Sequence, residues 1–137
     1  NRIRPAVREN FVMLSDMFPT LCDLTAVPVS HEIDGISILP LLRGEEQDTG
    51  DRMVYWVRRE GNSRYGGQAY YASQYRDFKI LQNTPWEPIQ FFNIKEDPKE
   101  QSPIGERSSD TYKNLFNGLM EHIRQTGMIP WQGKRYK

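Results

Sequence analysis

The sequence predicts an α+β fold: a four-stranded antiparallel sheet covered by a C-terminal helix and preceded by a short helical segment. Residues 53–94 contain four short segments rich in β-branched and aromatic residues, joined by short polar links. Residues 110–127 carry apolar side chains at helical spacing, and residues 15–27 form a shorter pattern of the same kind. The length of 137 residues is enough for one hydrophobic core.

Residues 15–44 are predicted to form a short helix, a bend with an Asp-Gly turn, and a second short apolar run. Ser15 is the predicted N-cap, and Pro28 is predicted to stop the helix. The apolar run over residues 36–42 ends at Gly44, which is typical of a helix C-cap. The apolar face of so short a stretch is too large to be buried within it, so we expect another surface to cover it.

Four strands are predicted to form a meander, over residues 53–57, 68–73, 78–82 and 89–94. Residues 45–51 are polar and predict a boundary, which divides the chain into residues 1–48 and 49–137. A glycine-rich loop is expected at 61–67 and a hairpin connection at 74–77. Alternation within the strands assigns Trp56 to the core and places Tyr70 and Tyr71 on opposite faces of the sheet.

The C-terminal helix is the clearest single element in the sequence. Asp110 is its predicted cap and Gly127 its predicted end. Its apolar side chains form one full stripe, which is expected to cover a face of the meander, and they are Tyr112, Leu115, Phe116, Leu119, Met120 and Ile123.

The composition removes several classes of function. The 18 basic and 18 acidic residues give a formal net charge of zero, which provides no general attraction for nucleic acids or acidic membranes. No apolar run is long enough to span a membrane. The single cysteine, Cys22, excludes an intrachain disulfide, and its neighbours do not favour a reactive thiol. His31 and His122 are expected to be surface or packing residues, so no nucleophile is visibly paired with a base.

Three stretches resemble motifs of the sulfatases. Residues 16–21 and 34–44 are similar to the signature D-x-[FY]-P-T-L…DG-x-S-[IL]-x-P-L-L-x-G. Residues 75–81 resemble the hairpin usually written R-x-G-x-W-K-L, with Phe78 in place of tryptophan. Residues 91–100 are similar to L-Y-N-L-x-x-D-P-x-E. The motifs follow the family's order over nearly the whole chain, which therefore resembles the C-terminal region of a sulfatase of the arylsulfatase type, in the alkaline-phosphatase superfamily.

The resemblance implies a larger parent enzyme that hydrolyses sulfate esters, in particular those of sugars. The family's nucleophile is a formylglycine made from Cys or Ser in a C/S-x-P-x-R motif, beside a calcium ion held by carboxylates and an amide. Neither Cys22 nor any serine begins such a motif here, so no catalytic or metal residue is carried over to this chain. The chain alone is expected to be inactive, with the calcium and the formylglycine on an N-terminal portion that precedes it.

The domain assignment implied by the resemblance follows the predicted boundary. Residues 1–48 would be the terminal segment of the parent α/β domain, and residues 49–137 the C-terminal subdomain. The parent α/β domain and a sulfated glycan are the implied partners, and self-association of the isolated chain, or folding of its N-terminal segment back on the sheet, is expected where that domain is absent. The sequence does not determine the compartment, although a periplasmic or secreted parent agrees with the resemblance.

Contact with the substrate is the function that remains for this chain. In the family, the C-terminal subdomain packs beside the mouth of the active site and lends residues to its rim. The candidates at or beside the predicted glycine-rich loop are Arg58, Arg59, Tyr65 and Gln68. An arginine fork suits a sulfate oxyanion and an aromatic ring suits a sugar face. The same residues also fit solvated charges and a loop anchor, so both interpretations stay open.

Two alternative functions fit the same sequence. A stand-alone carbohydrate-binding or protein-interaction module would be built on Trp56, Tyr65, Tyr71 and Trp86. A parent that hydrolyses phosphate or phosphonate esters would keep the superfamily and change the nucleophile, which lies outside this chain.

Overall fold

The computed structural model describes residue 3 and residues 5–59, 69–84 and 86–127. The chain divides into two compact units, residues 1–51 and residues 52–137. Unit 1 contains a 3-10 turn, Leu14–Asp16, followed by the helices α1 (Met17–Leu24) and α2 (Leu39–Arg43). Unit 2 contains four strands and one long helix, which are β1 (Met53–Arg59), β2 (Ala69–Tyr75), β3 (Phe78–Gln82), β4 (Gln90–Asn93) and α3 (Asp110–Gly127). The predicted α+β class is confirmed.

The first helical segment begins earlier than the sequence predicts, because the 3-10 turn Leu14–Asp16 precedes α1. Ser15 is not an N-cap, because it lies inside the 3-10 turn that runs directly into α1. The carboxylate of Asp16 instead accepts a hydrogen bond from the Met13 backbone N–H at 2.7 Å, and so satisfies a donor at the helix start. The prediction that Pro28 stops the helix is also wrong, since α1 ends at Leu24 and the chain then turns through Ala26, whose φ is 54°.

The end of α2 agrees with the sequence. Gly44 takes the left-handed conformation with φ of 87°, and its N–H donates to the Leu41 carbonyl at 3.0 Å. The N–H of Glu45 donates to the Pro40 carbonyl at 2.9 Å, so the last carbonyls of this short helix are satisfied. The predicted C-cap is therefore confirmed.

The sheet is an antiparallel meander in the order β1-β2-β3-β4, which confirms the predicted topology. β1 extends two residues beyond its predicted end, and β2 likewise continues to Tyr75, which lies opposite Phe78. The connection between β2 and β3 is therefore only Arg76 and Asp77, with Arg76 at φ of 50°. The glycine-rich loop predicted at 61–67 lies outside the described residues.

α3 covers one face of the sheet and closes the core of unit 2. Ile80, Phe91, Leu115 and Leu119 are buried together at 3 % exposure or less. The hydroxyl of Ser73 donates to the Leu115 carbonyl at 3.0 Å and links β2 directly to the helix.

Two details of α3 differ from the prediction. Met120 lies at the edge of the apolar stripe and is 37 % exposed, whereas Leu119 is fully buried. The capping oxygen belongs to Ser109, whose hydroxyl accepts a hydrogen bond from the Tyr112 N–H at 3.3 Å, and Asp110 is the first helical residue. A close approach to β1 is possible because Gly118 has no side chain, and a Cβ there would lie 2.3 Å from the Met53 sulfur.

The two faces of the sheet carry different side chains. Tyr55 and Tyr71 pack against the core on the α3 face, so Tyr70 belongs to the opposite face, as the alternation predicts. Trp56 also lies on that opposite face and is 38 % exposed, with the Lys79 ammonium 5.8 Å from its ring centroid. The assignment of Trp56 to the core is therefore wrong, because alternation identifies the two faces but not which one the helix covers.

Candidate functional site

The sulfatase-like signature in unit 1 forms a hydrogen-bonded structure that we call the signature clamp, made of Asp16, Thr20, Gly35, Ile36 and Ile38. The carboxylate of Asp16 is fully buried and accepts the Ile36 N–H at 3.0 Å. The Thr20 hydroxyl donates to the Asp16 carbonyl at 2.6 Å and accepts the Ile38 N–H at 2.9 Å. Two side chains at the start of α1 thus hold the irregular segment that follows the Asp-Gly pair.

Gly35 is required in the signature clamp by a close approach between two backbone segments. A Cβ at position 35 would lie 2.1 Å from the carbonyl oxygen of Ser15, far inside van der Waals contact. Backbone atoms cannot swing aside as the end of a long side chain can. The chain bends at Asp34, and the absence of a side chain at Gly35 permits its close contact with the 3-10 turn.

The clamp continues through polar side chains on the surface of unit 1. The Ser37 hydroxyl donates to the Asp23 carboxylate at 2.7 Å, and the Gln47 amide donates to the Ser37 carbonyl at 2.8 Å. Asn10 in turn donates to the Gln47 carbonyl at 3.0 Å. These contacts join segments of the unit that are distant in sequence.

The second and third sulfatase-like motifs meet in unit 2. The ammonium of Lys79, on β3, lies 2.5 Å from the carboxylate of Glu100, and both side chains are partly buried near the surface. The Ile94 N–H donates to the Asp77 carbonyl at 2.8 Å, and so joins the β2–β3 connection to the end of β4. We call the ion pair the motif brace, because it ties the hairpin to the loop that follows the sheet.

Asp97 organises that loop from within the third motif. Its carboxylate accepts the Ser102 N–H at 2.8 Å. Backbone hydrogen bonds from Ser102, and then from Gln101, lower the pKa of Asp97, because they stabilise its ionised form. The lowered pKa therefore has a structural cause and does not indicate a catalytic acid.

The four predicted substrate-contact residues are only partly described. Arg58 is exposed near the end of β1, with its guanidinium carbon 5.8 Å from the centroid of the Tyr70 ring. Arg59 is the last residue of β1, but its side chain lies outside the described part of the chain, as do Tyr65 and Gln68. Whether the four come together stays a prediction.

Three side chains beside Arg58 were not among the four predicted substrate contacts, although Trp56 was named for the alternative binding module. Together with Arg58, they form what we call the cationic–aromatic strip, which consists of Arg58, Tyr70, Trp56 and Lys79. Trp56 and Arg58 are two residues apart in one strand, so a shared face could have been recognised from the sequence. The pairing of Tyr70 with Arg58 depends on strand register, and the proximity of Lys79 to Trp56 depends on the order of three strands.

The aromatic residues of the alternative module do not share one surface. Tyr71 packs against the core on the α3 face, whereas Trp56 lies on the other face. Trp86 is 87 % exposed in the connection between β3 and β4. A single binding surface built on all of them is therefore inconsistent with the sheet.

The two histidines and the cysteine of the chain contact residues that pack around them. His122 stacks on the Tyr55 ring at 4.3 Å between centroids, and burial raises the pKa of Tyr55. His31 lies beside Phe18 at 6.1 Å, and Cys22 is a half-buried free thiol on α1. Within the described ranges, no group of three or more His, Cys, Asp or Glu side chains could hold a metal ion, and no helix is long and apolar enough to cross a membrane.

The fold and the clamped motifs define the C-terminal region of a sulfatase as the class of this chain. The family described as N-sulphoglucosamine sulphohydrolase, C-terminal, matches residues 2–128, and the chain belongs to this family. The region matched includes both the signature clamp and the motif brace.

Curated relatives carry the same class name. The chain is 29 % identical over 117 residues to arylsulfatase K from Gallus gallus, in a match that covers 76 % of this chain and 20 % of that protein. It is 30 % identical over 122 residues to a Δ4,5-hexuronate-2-O-sulfatase from Bacteroides thetaiotaomicron, covering 73 % of this chain and 25 % of that protein. The chain thus spans about a quarter or less of the length of these relatives.

Solved structures show the same fold. A protein in complex with its substrate D-glucosamine-2-N,6-O-disulfate matches with a TM-score of 0.63 and 25 % identity, over 88 % of this chain and 25 % of that one. The phosphonate monoester hydrolase of Agrobacterium radiobacter matches with a TM-score of 0.55 and 20 % identity, over 88 % of this chain and 26 % of that one. At that identity the second likeness concerns the fold alone.

Proposed function

We propose that this chain is the C-terminal part of a sulfatase that hydrolyses sulfate esters of sugars, and that it supplies structure and substrate contacts to that enzyme. The observation that carries the proposal is the family match over residues 2–128, in which the signature residues occupy a complete hydrogen-bonded clamp. The names of the relatives, which include a hexuronate sulfatase and an N-acetylglucosamine-6-O-sulfatase, support sugars as the substrate class.

The chemical step is assigned to a portion of the enzyme outside this chain. The described residues do not fit a calcium site, since they lack a cluster of carboxylates that could hold the ion. The calcium and the formylglycine implied by the family therefore belong to the N-terminal α/β domain of the proposed enzyme. Arg58, Arg59, Tyr65 and Gln68 remain proposed as contacts at the rim of its active site.

The exposed apolar side chains of unit 1 support docking onto that α/β domain. α1 and the turn before it leave Leu14, Phe18, Leu21 and Leu24 at exposures of 87 %, 51 %, 53 % and 53 %. An open groove of about 780 Å³ in the same unit is lined by apolar residues such as Leu24 and Leu42 and by charged ones such as Arg43. Several exposed apolar side chains on one short helix are typical of an interface. When the α/β domain is absent, the same surface is expected to drive self-association.

An activity measurement tests the proposed function. The chain alone should release no phenol from a chromogenic aryl sulfate, whereas a protein that joins it to its upstream coding sequence should do so with calcium present. A Cys-x-Pro-x-Arg or Ser-x-Pro-x-Arg motif in that upstream sequence is expected. Calcium-dependent release of phenol by the isolated chain would contradict the assignment of the chemical step to another portion of the enzyme. Hydrolysis of phosphate or phosphonate esters, but not of sulfate esters, by the joined protein would favour the alternative parent enzyme.

Sedimentation tests the docking surface. Replacing Phe18 and Leu21 with glutamate should shift the isolated chain toward the monomer, because charges would be placed in the apolar face. The matched control is Trp86→Glu, which changes an exposed aromatic side chain in unit 2. Self-association through α1 would be rejected by an equal shift for the control. It would also be rejected if the unsubstituted isolated chain were monomeric at all concentrations.

A further inference from the structure

The middle of α3 carries an asparagine that is followed by a glycine. Asn117 is exposed to solvent, and Gly118 comes directly after it at a half-buried position. A second asparagine, Asn114, is also exposed on α3, but the residue that follows it is the fully buried Leu115. The two asparagines therefore share one helix and one kind of exposure, and they differ in the residue that comes next.

The glycine at position 118 is explained by packing. α3 comes so close to β1 here that a Cβ on Gly118 would collide with the Met53 sulfur and lie 3.0 Å from the Tyr55 hydroxyl oxygen. Both of these side chains pack against the core of unit 2. Glycine is otherwise a poor residue for the interior of a helix. The close contact with β1 therefore places an Asn-Gly pair where the helix alone would not favour one.

The same glycine changes the chemistry of the asparagine before it. The backbone nitrogen of the residue after an asparagine is able to attack the carbonyl carbon of that asparagine's side chain. Gly118 has no Cβ to hinder this attack, and its backbone reaches conformations that other residues avoid. At Asn114 the branched side chain of Leu115 hinders the same approach. Asn117 is therefore the more reactive of the two amides whenever the backbone is free to move.

The reaction needs no reagent other than water. The Gly118 nitrogen loses its proton and forms a bond to the side-chain carbonyl carbon of Asn117. The side-chain nitrogen takes up a proton and leaves as ammonia, which closes a cyclic succinimide. Water then opens the ring at one of its two carbonyl groups. Opening at the side-chain carbonyl gives aspartate, whereas opening at the main-chain carbonyl gives isoaspartate, in which the main chain runs through the former side chain.

The folded helix opposes ring closure. In α3 the N–H of Gly118 donates to the carbonyl of Asn114, and the helical backbone holds the Gly118 nitrogen away from the side chain of Asn117. Attack therefore requires that this part of the helix open. Leu115 and Leu119 lie on either side of the pair and are fully buried, so opening would withdraw them from the core. The reaction is thus coupled to the packing of α3 on the sheet.

We infer that Asn117 and Gly118 form a site of spontaneous isoaspartate formation, which is protected while α3 lies on the sheet and becomes reactive when the helix opens. Isoaspartate lengthens the main chain by one methylene group and so displaces the helical hydrogen bonds around it. The change falls where α3 is closest to β1, so the modified helix cannot restore its contacts with Met53 and Tyr55. The modified form therefore accumulates in chains whose α3 has opened. This inference is independent of the proposed function.

Ageing of the whole chain at mildly alkaline pH, with and without guanidinium chloride, tests the inference. Tryptic cleavage gives the peptide 114–124, which contains both asparagines, and tandem mass spectrometry measures isoaspartate at each one. In guanidinium chloride Asn117 should react at least about tenfold faster than Asn114, because glycine does not hinder the attack. Without denaturant Asn117 should react at least about tenfold more slowly than in guanidinium chloride, because α3 is mostly closed.

Two variants separate the lengthened main chain from other effects. Asn117→Asp has the charge of the product and an ordinary main chain, and asparagine and aspartate have similar helix propensities. Its midpoint of denaturation should stay close to that of the unmodified chain, whereas the purified isoaspartyl chain should unfold at a clearly lower concentration of denaturant. Asn117→Gln keeps an exposed amide on a longer side chain and should suppress the modification at this position without altering the fold.

Three results would overturn the inference. The first is an equal rate at Asn117 with and without guanidinium chloride, in a chain that circular dichroism shows to be folded when the denaturant is absent. The second is an equal rate at Asn114 and Asn117 in guanidinium chloride. The third is an isoaspartyl chain that is as stable as the Asn117→Asp variant, which would show that the lengthened main chain does not disturb the packing of α3.

Discussion

The two units are held together by different kinds of interaction. In unit 1 the buried side chains include Asp16 and Thr20, which bind backbone groups, while the large apolar side chains of α1 face outward. In unit 2 the centre is apolar, and Ile80 and Leu119 are fully buried between sheet and helix. Unit 2 therefore resembles a self-sufficient domain, whereas unit 1 depends more on hydrogen bonds to buried polar side chains and leaves the large apolar side chains of α1 exposed.

The contrast also separates what each sulfatase-like motif does. The signature in unit 1 supports an irregular backbone path, and its side chains satisfy backbone groups along that path. The motifs in unit 2 lie on a sheet that is stabilised mainly by apolar packing. The ion pair between them adds to the stability of that sheet. A substitution in the core of unit 2 should therefore cost the most, and one on its surface the least.

The largest expected effect comes from the core of unit 2. Leu119→Ala should lower the free energy of unfolding by about 2–5 kcal/mol, because it leaves a cavity where the side chain is fully buried. The measurement is the midpoint of chemical denaturation followed by tryptophan fluorescence. Met120→Ala, one position along the same helix but 37 % exposed, is the control and should cost clearly less. Equal costs would show that α3 does not pack as described.

The next effect concerns the signature clamp. Gly35→Ala should cost about 1–3 kcal/mol or more, because the added methyl meets a backbone carbonyl at 2.1 Å. Amide exchange at Ile36 and Ile38 should accelerate, since both N–H groups donate to clamp side chains. Gly105→Ala, where an added Cβ meets nothing within 4 Å, should leave that exchange unchanged. Slow exchange in the Gly35 variant would contradict the clamp.

A smaller effect is expected at the motif brace. Lys79→Met and Glu100→Gln, combined in a double-mutant cycle, should reveal a coupling of about 0.2–1 kcal/mol, as for pairs near the surface. High salt should reduce this coupling. Lys113 and Asp110, an exposed pair at 3.7 Å, provide the comparison and should show less. A coupling energy of zero between Lys79 and Glu100 would show that the motif brace does not contribute to stability.

The smallest effect is a change in pH dependence. Asp97 has a pKa below its ordinary value of 3.8 in the folded chain, so its ionised form adds stability above that value. The contribution is lost as the pH falls from about 4 through the lower folded pKa. Asp97→Asn should therefore flatten the fall in stability in this window and change little at neutral pH. An identical acid profile for both proteins would argue against the hydrogen bonds from Ser102 and Gln101.

Regular elements could be predicted because their signals are local. In β1 to β4 β-branched and aromatic residues recur within each strand, and in α3 the helical spacing of apolar residues recurs over several turns. A single exception therefore does not obscure the pattern. The errors fall at element ends, where Ser15 and Asp110 were predicted as caps and neighbouring residues supply the capping oxygens. Several residues near a helix start can serve as caps, and only the backbone path selects one.

The candidate site was harder to predict, because its geometry depends on contacts between strands. Arg58 could be proposed from its side-chain chemistry alone, but Tyr70 joins it only through the β1–β2 register. Trp56 was assigned to the wrong environment, since both faces of the sheet carry aromatic side chains. The clamp role of Asp16 was also missed, because a carboxylate near a helix start suggests an interaction with the helix dipole before it suggests burial.

The place of α3 in the chain has a consequence for synthesis of the protein. Each strand pairs with the one made just before it, so the meander is able to form step by step as the polypeptide leaves the ribosome. Ile80 and Phe91, however, remain uncovered on one side until residues 110–127 have emerged. During this interval the nascent sheet exposes an apolar face to other chains. Aggregation is expected to become less favourable once α3 has formed and covers this face.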